Sequence, residues 1–271
     1  MTREQVSPIR QVHVLRYVTP LREGGSLPAI VEADDDGMYV VKFRGAGQGP
    51  KALVAELIAA ALGRALDLPV PEPVLVDLDL ALGLAEPDPE IQGLLERSAG
   101  LNVGLDYLPG SLPLGVADTA GLSPDLAADV VWFDAFLQNV DRTPRNPNLL
   151  LWHRKLWLID HGASLYTQHS WTGDLGVVEA NAGGRFPAIR DHVLLAVAGP
   201  IPEADARLAP RLTPEVITEA VATVPDALLE DMPPFASPEE HRAAYRMHLN
   251  ARLQAPRLWV ETAEEARRGA N

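Results

Sequence analysis

The chain has 271 residues, 47% of them hydrophobic and 22% charged, which suits one large globular domain or two lobes sharing a cleft and argues against disorder or a coiled coil. Asp and Glu outnumber Lys and Arg by 37 to 23, a formal net charge of −14, so direct nucleic-acid binding and attachment to an anionic membrane are not expected. Cysteine is absent, which excludes disulfides, thiolate metal ligands and cysteine nucleophiles. Residues 1–10 are polar and do not read as a secretory signal, and no apolar run approaches the ~20 residues of a membrane span, so a cytoplasmic protein is expected.

The first third reads as strands. Residues 11–20 alternate apolar and polar positions. A turn at 22–26 contains Gly24, Gly25 and Ser26, and a second short strand covers 27–33. The run Asp34-Asp35-Asp36-Gly37 predicts a hairpin turn into a third strand over 38–44. A glycine-rich loop with Gly45, Gly47 and Gly49 leads into a helix over 51–66, whose stripe is Leu53, Leu57, Ala61 and Ala65. Pro69, Pro71 and Pro73 end that helix, and strands follow over 74–80 and 101–107. The break Leu108-Pro109-Gly110 marks the expected lobe boundary, giving an N-terminal lobe over 10–108 and a mainly helical lobe over 109–271. In the second lobe the pattern predicts a helix over 124–138, an irregular loop over 139–148 and a tight apolar hairpin over 149–159. Helical stretches then follow near 188–198, 214–230 and 238–255.

Phosphoryl transfer from ATP needs a cation on the phosphates, oxygen ligands for Mg²⁺, a carboxylate to accept the nucleophile's proton, and backbone over the phosphates. Lys42 lies within the apolar third strand, on the same face as Val40, in a chain where only three of the 23 basic residues are lysine, and a buried ammonium needs an anionic partner. Glu56 lies among small residues of the following helix, which allows close approach to Lys42. Asp141 and Asn146 share one loop, and Asp160 ends the hairpin in Leu158-Ile159-Asp160-His161-Gly162. Carboxylate and amide oxygens suit a hard cation, so Asn146 and Asp160 are the candidate metal ligands and Asp141 the candidate base. Gly24, Gly25 and Ser26 offer backbone N–H groups to phosphate, in competition with the cluster of Gly45, Gly47 and Gly49. Lys51, at a helix start, is expected to face solvent.

The order Lys42, Glu56, Asp141-x4-Asn146 and Ile159-Asp160-His161-Gly162 resembles the protein-kinase-like superfamily, above all the HipA-like kinases and more distantly the phosphatidylinositol kinases. The resemblance covers most of residues 10–165. It implies an α+β, two-lobed fold with a β-rich N-lobe carrying one main helix, and ATP at a hinge near Asp106, Tyr107 and Leu108. It further implies that Lys42 binds phosphates, that Glu56 holds Lys42, that Asp141 is the catalytic base, and that Asn146 and Asp160 bind Mg²⁺. Asn139-Val140 stands where typical protein kinases carry His-Arg before the catalytic Asp, His161 stands where they carry Phe, and no Ala-Pro-Glu follows. The expected activity is an ATP- and Mg²⁺-dependent phosphotransferase acting on protein Ser/Thr or on itself. A nucleotide-responsive pseudokinase and a small-molecule kinase stand as alternatives.

Overall fold

A computed structural model describes residues 9–21, 27–47, 49–84, 87–230 and 232–270. Five strands of the N-terminal region close into a barrel in the order β1-β2-β3-β5-β4: β1 (Gln11–Pro20), β2 (Ala29–Ala33), β3 (Met38–Lys42), β4 (Pro73–Leu78) and β5 (Gly100–Asp106). Neighbours are antiparallel except β1 and β4, which run parallel and complete the closure through Gln11–Leu75, Val12–Val76 and His13–Asp77. The β2–β3 turn forms because Asp36 adopts a left-handed conformation and Asp35 accepts the Gly37 N–H at 3.0 Å.

Helix α1 (Gly49–Ala65) connects β3 to β4. The sequence predicts one apolar stripe, yet every residue from Leu53 to Gly63 is buried. One face meets β5 and another meets helix α7 (Pro214–Ala222) of the C-terminal region, so the buried middle of the helix is apolar on both faces, with Glu56 the one charge within it. Gly63 is required by this packing: a Cβ there would lie 2.8 Å from Val70 and 3.4 Å from Phe133. Two helices precede β5 that the sequence reading did not anticipate, α2 (Leu80–Leu84) and α3 (Pro89–Arg97). The second starts at an Asp88 cap accepting the Glu90 N–H, with Pro89 in the first turn.

The C-terminal region is helical around one small sheet. Strands β6 (Leu112–Pro113), β7 (Leu149–Trp152) and β8 (Lys155–Leu158) pair antiparallel, the last two as the expected hairpin. Helices α4 (Pro124–Leu137), α5 (Leu175–Ala182), α6 (Ile201–Leu208), α7, α8 (Pro238–Leu253) and α9 (Leu258–Ala270) surround it. The helix expected near 188–198 is instead two short 3₁₀ turns, because His192 accepts the Leu194 N–H on its own ring and leaves the helical path. The helix expected over 214–230 stops at Ala222, ahead of Pro225. Helices α5, α6 and α9 were not anticipated.

Two apolar cores result. The barrel interior packs with Ile91, Leu94 and Leu95 of α3. The larger core joins α1 to the C-terminal helices, with Trp132, Phe133, Phe136 and Trp259 at its centre. No helix among the described residues is long and apolar enough to cross a membrane.

Candidate active site

Lys42, the last residue of β3, is buried, and its ammonium lies 2.5 Å from Glu56 Oε2 and 2.5 Å from Asp160 Oδ1. Three residues far apart in sequence therefore meet at one atom. Burial alone would lower the Lys42 pKa, but Glu56 and then Asp160 more than offset it and hold the group above its ordinary value. Burial likewise opposes ionisation of Glu56, yet Lys42 and His161 bring its carboxyl down to about 2. The fully buried His161 follows Asp160; its main-chain N–H donates to Glu56 Oε2 at 2.9 Å, and its ring Nδ1 lies 3.6 Å from Oε1. Glu56 thus grips both the cation and the segment that carries Asp160.

The loop after α4 brings Asp141 to the same place. Gln138 closes the helix in a left-handed conformation, and Asn139 Oδ1 accepts the Asp141 N–H at 3.1 Å. Asp141 Oδ2 accepts from two amides, Asn146 Nδ2 at 2.7 Å and Asn148 Nδ2 at 3.3 Å. Burial raises the Asp141 pKa and the nearby charge of Asp160 adds to it, against the two amide donors.

The loop is built on a buried arginine. Arg142 donates Nε to Asp134 of α4 and Nη1 to the carbonyls of Asn148 and Ile159, so one guanidinium ties together the segments bearing Asp141, Asn148 and Asp160. Asp134, itself fully buried, also accepts from Asn139 Nδ2 at 2.9 Å and faces His192 Nε2 at 2.9 Å. Since His192 Nδ1 accepts the Leu194 N–H, the proton sits on Nε2, and the ring is a neutral donor to Asp134. Burial disfavours the Asp134 charge, but Arg142 and His192 hold it well below the usual carboxylate range. The buried network is one anion, one cation and a neutral ring.

The other expected residues fall as follows. Gly24, Gly25 and Ser26 lie outside the described residues. Gly45 docks on the end of α3, its N–H donating to Ser98 Oγ at 3.1 Å, and Gly49 opens α1 at positive φ. In the segment expected to be the hinge, the Asp106 N–H bonds the Glu72 carbonyl at 2.9 Å and the Tyr107 N–H bonds the Met38 carbonyl at 3.0 Å, while the Leu108 N–H donates to no described group. Lys51 departs from expectation. It is half-buried, and its ammonium donates to the Gln168 carbonyl at 3.1 Å while Gln168 Nε2 lies 3.4 Å from the Lys51 carbonyl. The helix start that carries it rests on the C-terminal region instead of on solvent.

A divalent cation suits these residues. Asp160 commits Oδ1 to Lys42, its side chain is 38% exposed, and Oδ2 accepts from no described donor. Asn146 and Asn148 each donate an amide N–H to Asp141, which leaves their amide oxygens free to face a cation, and a charge of +2 would relieve the repulsion between Asp141 and Asp160.

A family model for HipA-like kinases matches residues 14–175, well over half of the chain and all of the residues above from Lys42 to Asp160. The chain belongs to the HipA-like kinase family. Among solved structures, the Helicobacter pylori proinflammatory kinase CtkA is similar at 13% identity and a TM-score of 0.52, over 97% of this chain and 98% of that one. A Golgi casein kinase matches 96% of this chain and 72% of its own at 12% identity and a TM-score of 0.45, and the same kinase with Mn/ADP bound at 14% and 0.44. No curated protein matches the sequence. Family and fold make this HipA-like kinase a kinase-type phosphotransferase with a β-rich N-terminal and a helical C-terminal region.

Sequence reasoning missed three residues of this HipA-like kinase that shape the site: Asp134, Arg142 and Asn148. A signal for the first was present. Asp134 is the one charge in residues 130–137, a run otherwise made of Val, Trp, Phe, Ala and Leu, and a lone acid in such a run needs a buried cation. Arg142 was in view only as a neighbour of Asp141.

Proposed function

We propose that this HipA-like kinase transfers the γ-phosphoryl group of ATP, with Mg²⁺, to a hydroxyl of a protein Ser or Thr, its own included. The reaction would take place between lobes spanning 10–108 and 109–271. The observation that carries this reading is the meeting of Lys42, Glu56 and Asp160 at one ammonium, with Asp141 close enough to feel the charge of Asp160. In it, Lys42 turns from Asp160 toward the phosphates while Glu56 keeps it in place. The Leu108 N–H offers a donor to the adenine edge. Asp141, oriented by Asn146 and Asn148, accepts the proton of the attacking hydroxyl. Asp160 and an asparagine oxygen would hold Mg²⁺, which when bound neutralises charge on the transferring phosphoryl group. The absence of a basic cluster argues against a lipid headgroup as the acceptor.

Purified protein incubated with γ-labelled ATP and Mg²⁺ should label itself or a Ser/Thr-rich protein acceptor. Asp141→Asn should reduce the rate by at least about 100-fold, the usual scale of general-base catalysis, with ADP binding unchanged. Full activity in that variant would remove Asp141 from the chemistry. Nucleotide binding without transfer to any acceptor would make the chain a binding module.

A further inference from the structure

The motif spacing singles out Asn146 as the amide partner of Asp160, but the structure puts two asparagines beside Asp141, and they are held differently. Asn146 is exposed. It closes a turn around Pro144 and Arg145, with paired main-chain bonds of 3.1 Å to Thr143, and its only described link to the site is Nδ2 on Asp141. Asn148 is buried and immediately precedes β7. Its carbonyl accepts the Ile159 N–H at 3.1 Å and is held again by Arg142 Nη1. Ile159 is the residue before Asp160, so main-chain pairing fixes Asn148 alongside the segment that carries the acidic candidate ligand. Its backbone is left-handed at φ 50°, a conformation asparagine tolerates better than most residues. That twist takes the side chain out of the strand alternation and toward Asp141, where Nδ2 rests 3.3 Å from Oδ2; Oδ1 accepts from no described group.

We infer that Asn148 supplies the amide oxygen that faces the divalent cation, and that Asn146 orients Asp141 from the solvent side. A metal ligand must hold its place when the ion is bound, and preorganisation is strongest where the backbone is pinned on both sides. Asn148 is pinned by a strand bond and a buried guanidinium. Asn146 sits on a turn that no described main-chain bond joins to β8. The inference rests on the proposed nucleotide site, and its test separates the two.

The probe is Mn²⁺ with ADP, read by the electron paramagnetic resonance signal of free Mn²⁺, with metal-free ADP binding measured in parallel by calorimetry. Asn148→Gly keeps the left-handed backbone while deleting the amide, and circular dichroism melting confirms the fold. Wild type should bind Mn²⁺ in the presence of ADP. Asn148→Gly should weaken Mn²⁺ binding at least about tenfold, since even an outer-shell partner of a metal site is worth about that much, and should leave metal-free ADP binding alone. Asn148→Asp, which restores an oxygen and tolerates the same backbone, should recover the binding. Asn146→Gly, which leaves the inferred ligands Asp160 and Asn148 in place, should weaken Mn²⁺ binding clearly less than Asn148→Gly does. Loss in Asn146→Gly with retention in Asn148→Gly, or equal loss in both, overturns the assignment while leaving the nucleotide site standing. Absence of ADP-dependent Mn²⁺ binding by wild type overturns the nucleotide site itself and this inference with it.

Discussion

The barrel and the helical region differ in how much charge they bury. On the barrel the ion pairs ride the outer surface: Arg16 with Glu32, Arg10 with Asp35 and Glu72, and His13 beside Asp77, with most of these side chains at least 39% exposed. The helical region has surface pairs too, such as Arg185 with Glu265 and Arg246 with Glu239, but it also buries a set of charged and titratable groups: Asp134, Arg142, Arg252, His192 and His248. Arg252 donates to three main-chain carbonyls, those of Phe136, Ala182 and Ala135, and lies over the ring of Trp259. The barrel buries one cation, Lys42, and both of its anions come from outside the barrel, from α1 and from the segment after β8. Surface pairs in water contribute little, whereas a buried charge that loses its partner is strongly destabilising. The helical core therefore sets the positions of the site residues, and the barrel presents a single group to them.

The sharpest way to break this contrast is Asp134→Ala. It leaves Arg142 buried without its anion, and such losses cost on the order of 3–5 kcal/mol. Urea denaturation should show a drop of that size, with the Asp141 loop losing its order first in hydrogen exchange. A variant as stable as wild type would mean that the core does not depend on its interior charges.

Next in size is the acid limb of stability. Burial lowers the pKa of His192, His241 and His248, the last to about 3. Their folded values lie below the unfolded value of about 6.5, so their contribution is complete above pH 6.5 and is lost as pH falls toward 3, where the unfolded chain binds protons that the folded chain resists. Melting temperature should fall steadily from pH 6.5 to 4. His248→Gln, whose amide can still donate to Gln138, should flatten that slope. An identical slope in the variant would show that His248 titrates normally.

The smallest expected effect is at the barrel surface. Arg16→Ala removes an exposed pair with Glu32 and should leave the melting temperature unchanged within error at 0.15 M salt. A clear loss would show that the barrel too leans on its charges.

How much of this was legible in the sequence differs by residue. Lys42 could be read because an ammonium inside an apolar strand demands an anion, and Asp160 because it ends a hairpin strand ahead of a glycine. Barrel closure could not, since alternation in residues 11–20 marks a strand without naming its partners, and the parallel β1–β4 pairing joins segments some 60 residues apart. Helix α1 was read from a stripe when its whole middle, from Leu53 to Gly63, is buried, because periodicity shows one buried face and is silent about a second. The misread 188–198 segment turns on His192, whose ring serves Asp134 from 58 residues away. No local pattern carries that bond.

One feature of the packing bears on motion. Although α1 follows β3 in sequence, its apolar surface belongs to the larger core, and its last turn is held by Arg211, which donates to the carbonyls of Ala65 and Leu66 and to Asp67. At its start, Lys51 and Gln168 hold the helix to the segment after the Asp160 loop. The seam of the molecule thus runs between β3 and α1, and the Lys42–Glu56 bond crosses it. Any shift of the barrel against this helix would break both ion pairs of Lys42, to Glu56 and to Asp160, so one ammonium couples the barrel's position to the helical core.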